Sequence, residues 1–136
     1  MDMNTVSKSE SPIVSFIKYH LPALLYAIGI IAVSTIPNLK ISRVNLIAFD
    51  KIIHFLEYAI FAFLIFRSVY NISSKITLKR TLLVSALFLS FFALSDEIVQ
   101  LFIPGRHSEL WDFVTDIGGS FIVLTLCGLW YKKRSK

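Results

Sequence analysis

Four apolar runs, each about as long as a bilayer is thick, constrain this chain more than any other feature. A helix rises about 1.5 Å per residue, so roughly 20 residues cross the hydrocarbon core of a membrane. Residues 15–36, 50–70, 81–103 and 111–131 each supply that length, mostly as Leu, Ile, Val, Ala and Phe. The joints are short. Residues 71–75, Asn-Ile-Ser-Ser-Lys, make a polar turn between the second and third runs, and Pro104-Gly105 marks a turn between the third and fourth. Ser108 is placed to cap the fourth helix. Residues 38–49 are too short and too polar to span and read as a loop. No small-x-small site follows the first run, which argues against a cleaved signal peptide. The pattern predicts an all-α integral membrane four-helix bundle, a single transmembrane domain over residues 1–136.

Composition agrees. Only 17% of the 136 residues are charged, against about 25% in soluble domains. A net charge of +5 suggests nucleic acid until the charges are located. They cluster at span ends and suit an anionic membrane leaflet instead. No nucleic-acid module is present, and Cys127, the one cysteine, has no partner for an internal disulfide.

Lys and Arg set the orientation. Ten lie with the N-terminus, the turn after the second span and the C-terminal tail, and four lie on the other side. Both termini are therefore expected in the cytoplasm. The acids divide the opposite way: Asp50, Glu57, Asp96, Glu97, Glu109, Asp112 and Asp116 all fall in the outer half.

Helical spacing puts these outer residues on defined faces. Asp50, His54 and Glu57 form one stripe on the second helix, with Tyr58 at its edge. Asp96 and Gln100 share a face of the third helix, with Glu97 adjacent, and Asp112, Asp116 and Gly119 make a stripe on the fourth. Charges in a span are costly and normally face the bundle interior or a wet cavity. Polar residues at one depth on three helices predict a shared, outward-opening pocket. Glu97, Asp112 and His54 are the candidate acids and bases, with His54 paired to Asp50. Asp50, Tyr58, Gln100, Arg106 and Asp116 are candidate binding residues, Arg106 holding an anionic group. The spacing is not a metal-ligand signature, so no metal and no cofactor is expected. Gly118-Gly119-Ser120 reads as a close helix contact.

At these residues the chain resembles the VanZ-like family of small bacterial membrane proteins. The match is Asp50-Lys51-x-x-His54-Phe55-x-x-Tyr58, then Glu97-x-x-Gln100, Pro104-x-Arg106, and Asp112-x-x-x-Asp116-x-x-Gly119. It covers roughly residues 20–130. Asp116 departs from the family, which usually has Asn there. The resemblance implies a multi-pass protein of the bacterial cytoplasmic membrane, linked through the family's founding member to resistance against the glycopeptide teicoplanin. The expected partners are the lipid bilayer and an envelope precursor or glycopeptide. Two classes stay open: action on an envelope component or lipid-like glycopeptide, and binding of such a molecule without turnover. A proton-coupled carrier is disfavoured, because no carboxylate lies in the inner half to complete a path.

Overall fold

A computed structural model describes residues 11–37, 46–105 and 109–134. Among them are four long helices and no strand: α1, Pro12–Ser34; α2, Leu46–Tyr70; α3, Leu78–Gln100; and α4, Leu110–Arg134. All four are long and apolar enough to cross a membrane. The expected fold class is the one observed.

The helix ends follow local chemistry. α1 begins at Pro12, three residues before the expected start, because Ser11 Oγ accepts from the backbone N–H of Val14 at 3.3 Å. α2 begins at Leu46 instead of Asp50, since Leu-Ile-Ala-Phe contains nothing to stop a helix. Thr77 caps α3, its Oγ1 accepting from Arg80 N at 3.3 Å, so that helix starts at Leu78. It also ends earlier than expected. Phe102 N bonds Val99 O at 3.0 Å and Ile103 N bonds Gln100 O at 3.1 Å, so the last turn tightens. Gly105 then turns the chain at φ 79°, a conformation that favours glycine. Ser108 lies outside the described residues.

Within α1, residues Phe16–His20 form one wide π turn just before Pro22. Pro22 has no N–H for the carbonyl of Lys18, four residues back. Arg67 of α2 donates to that carbonyl from Nη2 at 2.6 Å. A break in one helix thus becomes a tie to the next. The side chains of His20 and Ser68 meet at 2.8 Å nearby, and Tyr26 Oη donates to Glu57 O at 3.3 Å further along.

α2 is the central helix and packs on all three others, most extensively on α4. His54 meets Asp116 near the start of both helices, and Tyr70 meets Tyr131 near the end of both, so α2 and α4 run parallel. α1 and α3 run the other way. The outside carries large apolar side chains such as Leu25, Phe91, Phe121 and Leu129, whereas Thr81, Ser85, Asp96, Asp116 and Ser120 are buried. Lipid is as apolar as leucine, so close packing and hydrogen bonds hold such helices together. Aromatic rings fill the middle: Phe61 lies 4.9 Å from Phe92 and 5.9 Å from Tyr26, centroid to centroid.

At Gly119 the backbones of α2 and α4 come into close contact. A Cβ there would run into the carbonyl oxygen of Phe55 and lie 3.3 Å from Ala59 N. Gly118, one residue earlier, has open space around it. Gly119→Ala should therefore push two backbones apart and lower stability by about 1–3 kcal/mol, the usual cost of overpacking. Gly118→Ala should be neutral or slightly stabilising in a helix. Thermal unfolding of both variants in one detergent checks this, with equal melting temperatures as the contrary result.

Candidate functional site

The polar residues gather where α2 and α4 begin and α3 ends. Lys51 projects toward α4 and is salt-bridged to Glu109 Oε2 at 2.8 Å and to Asp112 Oδ1. One turn further in, His54 Nδ1 lies 3.1 Å from Asp116 Oδ1. Below them Tyr58 is fully buried and packs edge-on to Phe61, closing the cluster against the aromatic core. From α3, Gln100 Nε2 donates to Asp96 Oδ2 at 3.3 Å, the i, i+4 pairing its spacing predicts. Asp96 and Glu97 are within electrostatic reach of Asp116. Glu97 Oε2 accepts from the backbone N–H of Glu109 at 3.2 Å. That bond ties the end of α3 to the residue before α4, across the turn that separates them. It also satisfies one of the free donors at a helix start.

Burial here is nearly complete. Asp96, Glu97, Gln100, Asp112 and Asp116 are all at most 5% exposed. Tyr58 Oη and Asp116 Oδ2 have no hydrogen-bond partner among the described residues. Buried polar atoms normally have one, so the site has hydrogen-bonding capacity to offer a ligand or water.

The faces were legible in the sequence, but several partners were not. His54 was expected to pair with Asp50, which shares its face at i, i+4. Its Nδ1 meets Asp116 instead, because Gly119 lets α4 approach until Asp116, one turn away, reaches the ring. Asp50 stays beside the pair. It, His54 and Asp112 each offer a ligand atom, all within 4.8 Å of one another. Two carboxylates with an imidazole suit a divalent transition metal such as zinc. Lys51 already brings a positive charge to Asp112, however, and so does part of what a metal ion would do.

Lys51 was missed as a site residue. The signal was present: Lys51, His54 and Tyr58 stand at i, i+3 and i+7, the buried face of α2. Glu57, expected in the same stripe as Asp50 and His54, lines a groove with Pro22, Tyr26 and Ile30 of α1 instead. At 3.6 residues per turn Glu57 stands about 60° from His54 and about 100° from Tyr58, on the side of the stripe that meets α1. Arg106 lies outside the described residues.

Chemically, the His54–Asp116 pair is the most defined element. A carboxylate oxygen at Nδ1 fixes that nitrogen as a donor and holds the ring in one orientation. Nε2 is then the nitrogen available to take up or release a proton, or to bind.

Comparison with known proteins gives one match. Residues 3–131 fit the family model described as VanZ/LLP1. No curated protein and no solved structure matches the chain.

The Lys51 bridge yields a direct test. Lys51→Met leaves the Asp112 carboxylate buried without its cation, and breaking a buried pair from one side costs about 3–5 kcal/mol. The variant should melt well below the parent. Lys51→Met with Asp112→Asn should recover much of that loss, since no charge is then stranded. A single variant as stable as the parent would show the bridge to be unimportant.

Proposed function

Because the chain belongs to the VanZ/LLP1 family, we propose that it is a bacterial cell-envelope membrane protein acting at the outer face of the cytoplasmic membrane. Its target is an envelope component or a lipid-like glycopeptide of the teicoplanin kind. The observation that carries this reading is the buried polar cluster drawn from α2, α3 and α4 at one end of an apolar bundle. A membrane protein does not place so many carboxylates there without a use for them. His54 is the acid–base group and Asp116 positions it. Glu97, Asp112, Asp50, Tyr58, Gln100 and Arg106 complete the site, with Arg106 as the fixed cation for an anionic group.

Binding without turnover is the second reading. It is favoured by the engagement of the candidate acids: Glu97 holds Glu109 N and Asp112 holds Lys51. Incubating the purified protein with a lipid-linked cell-wall precursor separates the two. A change in the precursor's mass marks turnover, and retention without change marks binding.

Orientation underlies both readings. Single cysteines replacing Arg106 and Lys75, with Cys127 removed, should react with an impermeant reagent from outside at 106 only. Labelling at 75 instead would invert the protein and remove the proposed site from the outer face.

Function is tested by expressing the chain in a teicoplanin-susceptible bacterium and measuring growth inhibition. The parent should reduce susceptibility and His54→Gln should abolish the effect. Asp116→Asn should keep it, because an amide oxygen still accepts from Nδ1–H. Protection that survives His54→Gln would remove the histidine from the mechanism.

A further inference from the structure

At the mouth of the polar cluster three side chains converge, two from α2 and one from α4. Asp50 and His54 stand one turn apart on α2, and Asp112 belongs to the first turn of α4. One ligand atom of each lies within 4.8 Å of the other two. Zn–N and Zn–O bonds of about 2.0–2.2 Å set neighbouring ligand atoms roughly 3.3 Å apart at the tetrahedral angle. The three atoms therefore need to close by about 1.5 Å at most, which rotation of two aspartate side chains supplies. Asp50 is partly exposed, which gives an ion a way in. Spacing along the chain carries no metal signature because the third ligand comes from another helix.

The imidazole is already held as a metal ligand is held. Its Nδ1 lies 3.1 Å from Asp116 Oδ1, which leaves Nε2 for an ion. Histidines that bind a metal almost always keep a carboxylate or carbonyl on the other ring nitrogen, which fixes the tautomer and makes the ligating atom more basic. Asp116 is wholly buried, and its second oxygen has no hydrogen-bond partner among the described residues. A buried acceptor beside the ring with no donor of its own points to a hydrogen-bonding guest, water or ligand. Charge points the same way. Asp50, Asp112 and Asp116 all act on this one ring. Asp50 has no salt bridge among the described residues; those at this end run from Lys51 and His54 to Glu109, Asp112 and Asp116.

Lys51 competes for Asp112, but it has a second acceptor. Its Nζ is also salt-bridged to Glu109 Oε2 at 2.8 Å, and Glu109 is half exposed, so releasing Asp112 leaves the ammonium paired. We infer that Asp50, His54 Nε2 and Asp112 bind a divalent transition metal of the zinc class, with Asp116 positioning the ring. Two carboxylates and one imidazole match that ion better than calcium or magnesium, which prefer shells of oxygen. Three protein ligands leave one tetrahedral position for water or for an oxygen of a bound molecule. The inference rests on the cluster that the proposed function uses and changes one role in it. With the ion bound, His54 is a ligand, and water on the ion is the group that gives up a proton.

The test is metal binding, measured without any activity. The full-length protein, freed of any affinity tag, carries Cys127→Ser to remove its one thiol. After treatment with a chelator it is titrated in detergent with Zn²⁺ against a chromophoric zinc indicator, and Mg²⁺ is then added in excess. One Zn²⁺ should bind per chain, and Mg²⁺ should not displace it. Asp50→Ala should weaken binding by about 100-fold or more, since changes even to the partners behind a ligand cost about 10–100-fold. Without metal that variant should keep the parent's helix content and melting temperature, because Asp50 gives up no salt bridge. His54→Gln should weaken binding likewise. Lys51→Met should bind Zn²⁺ more tightly, and Zn²⁺ should raise its melting temperature more than the parent's, the ion replacing the missing cation at Asp112. Absence of saturable binding, an affinity unmoved by Asp50→Ala and His54→Gln, or displacement by Mg²⁺ overturns the metal site. Absence of binding with protection retained in the growth assay removes the metal alone. Binding of Zn²⁺ without protection keeps the metal and removes the glycopeptide reading.

Discussion

Everything at the polar end depends on how closely α2 and α4 approach at Gly119. Hydrocarbon surroundings give helices no hydrophobic reason to associate, so contact must come from packing and from hydrogen bonds across the interface. A residue without a side chain lets the α4 backbone rest on Phe55 and Ala59. At that separation one turn of helix carries Asp116 to His54, and two turns carry Asp112 to Lys51. A wider spacing would leave the same four side chains facing one another across a gap, each charge short of its partner. The glycine and the polar pairs are therefore one structural unit.

The bundle inverts the usual distribution of polarity. Large apolar residues cover the outside, and buried positions include three aspartates, a glutamate and a glutamine from α3 and α4 that are nearly inaccessible. Such groups are tolerable only when other protein groups replace water. Gln100 serves Asp96, and the backbone of Glu109 serves Glu97. The second of these also sets where α4 begins relative to α3. A single carboxylate is thus both a buried charge to be satisfied and a clamp on the connection. That double role explains why residues that look chemically reactive in the sequence also carry architecture.

Polarity is divided along the bundle axis as well. Acids collect where α2 and α4 start, and bases where they end, with Lys18 of the antiparallel α1 joining the basic end. The basic bias that orients a membrane protein here coincides with a cleft, because α1 and α4 leave the face of α2 uncovered. Pro22 contributes to the same region from a distance. Pro22 offers no N–H to the Lys18 carbonyl, and the bond from Arg67 to that carbonyl fixes both the helix contact and the position of a cation.

The sequence by itself determined the number of spans, their approximate ends, and which end of the bundle is acidic. Those properties follow from run length and from helical spacing, and both are local. It also determined which side chains share a face, so the Asp96–Gln100 pair and the Gly119 contact were legible in advance. The tertiary structure decided the partners: Asp116 for His54 where Asp50 stood closer in sequence, Lys51 for Asp112, and the Glu109 backbone for Glu97. It also turned Glu57 toward α1. The reason is geometric. A partner across an interface depends on how far each helix is rotated about its own axis and how near the axes come. Both are set by packing among all four helices at once, which no single stretch of sequence encodes.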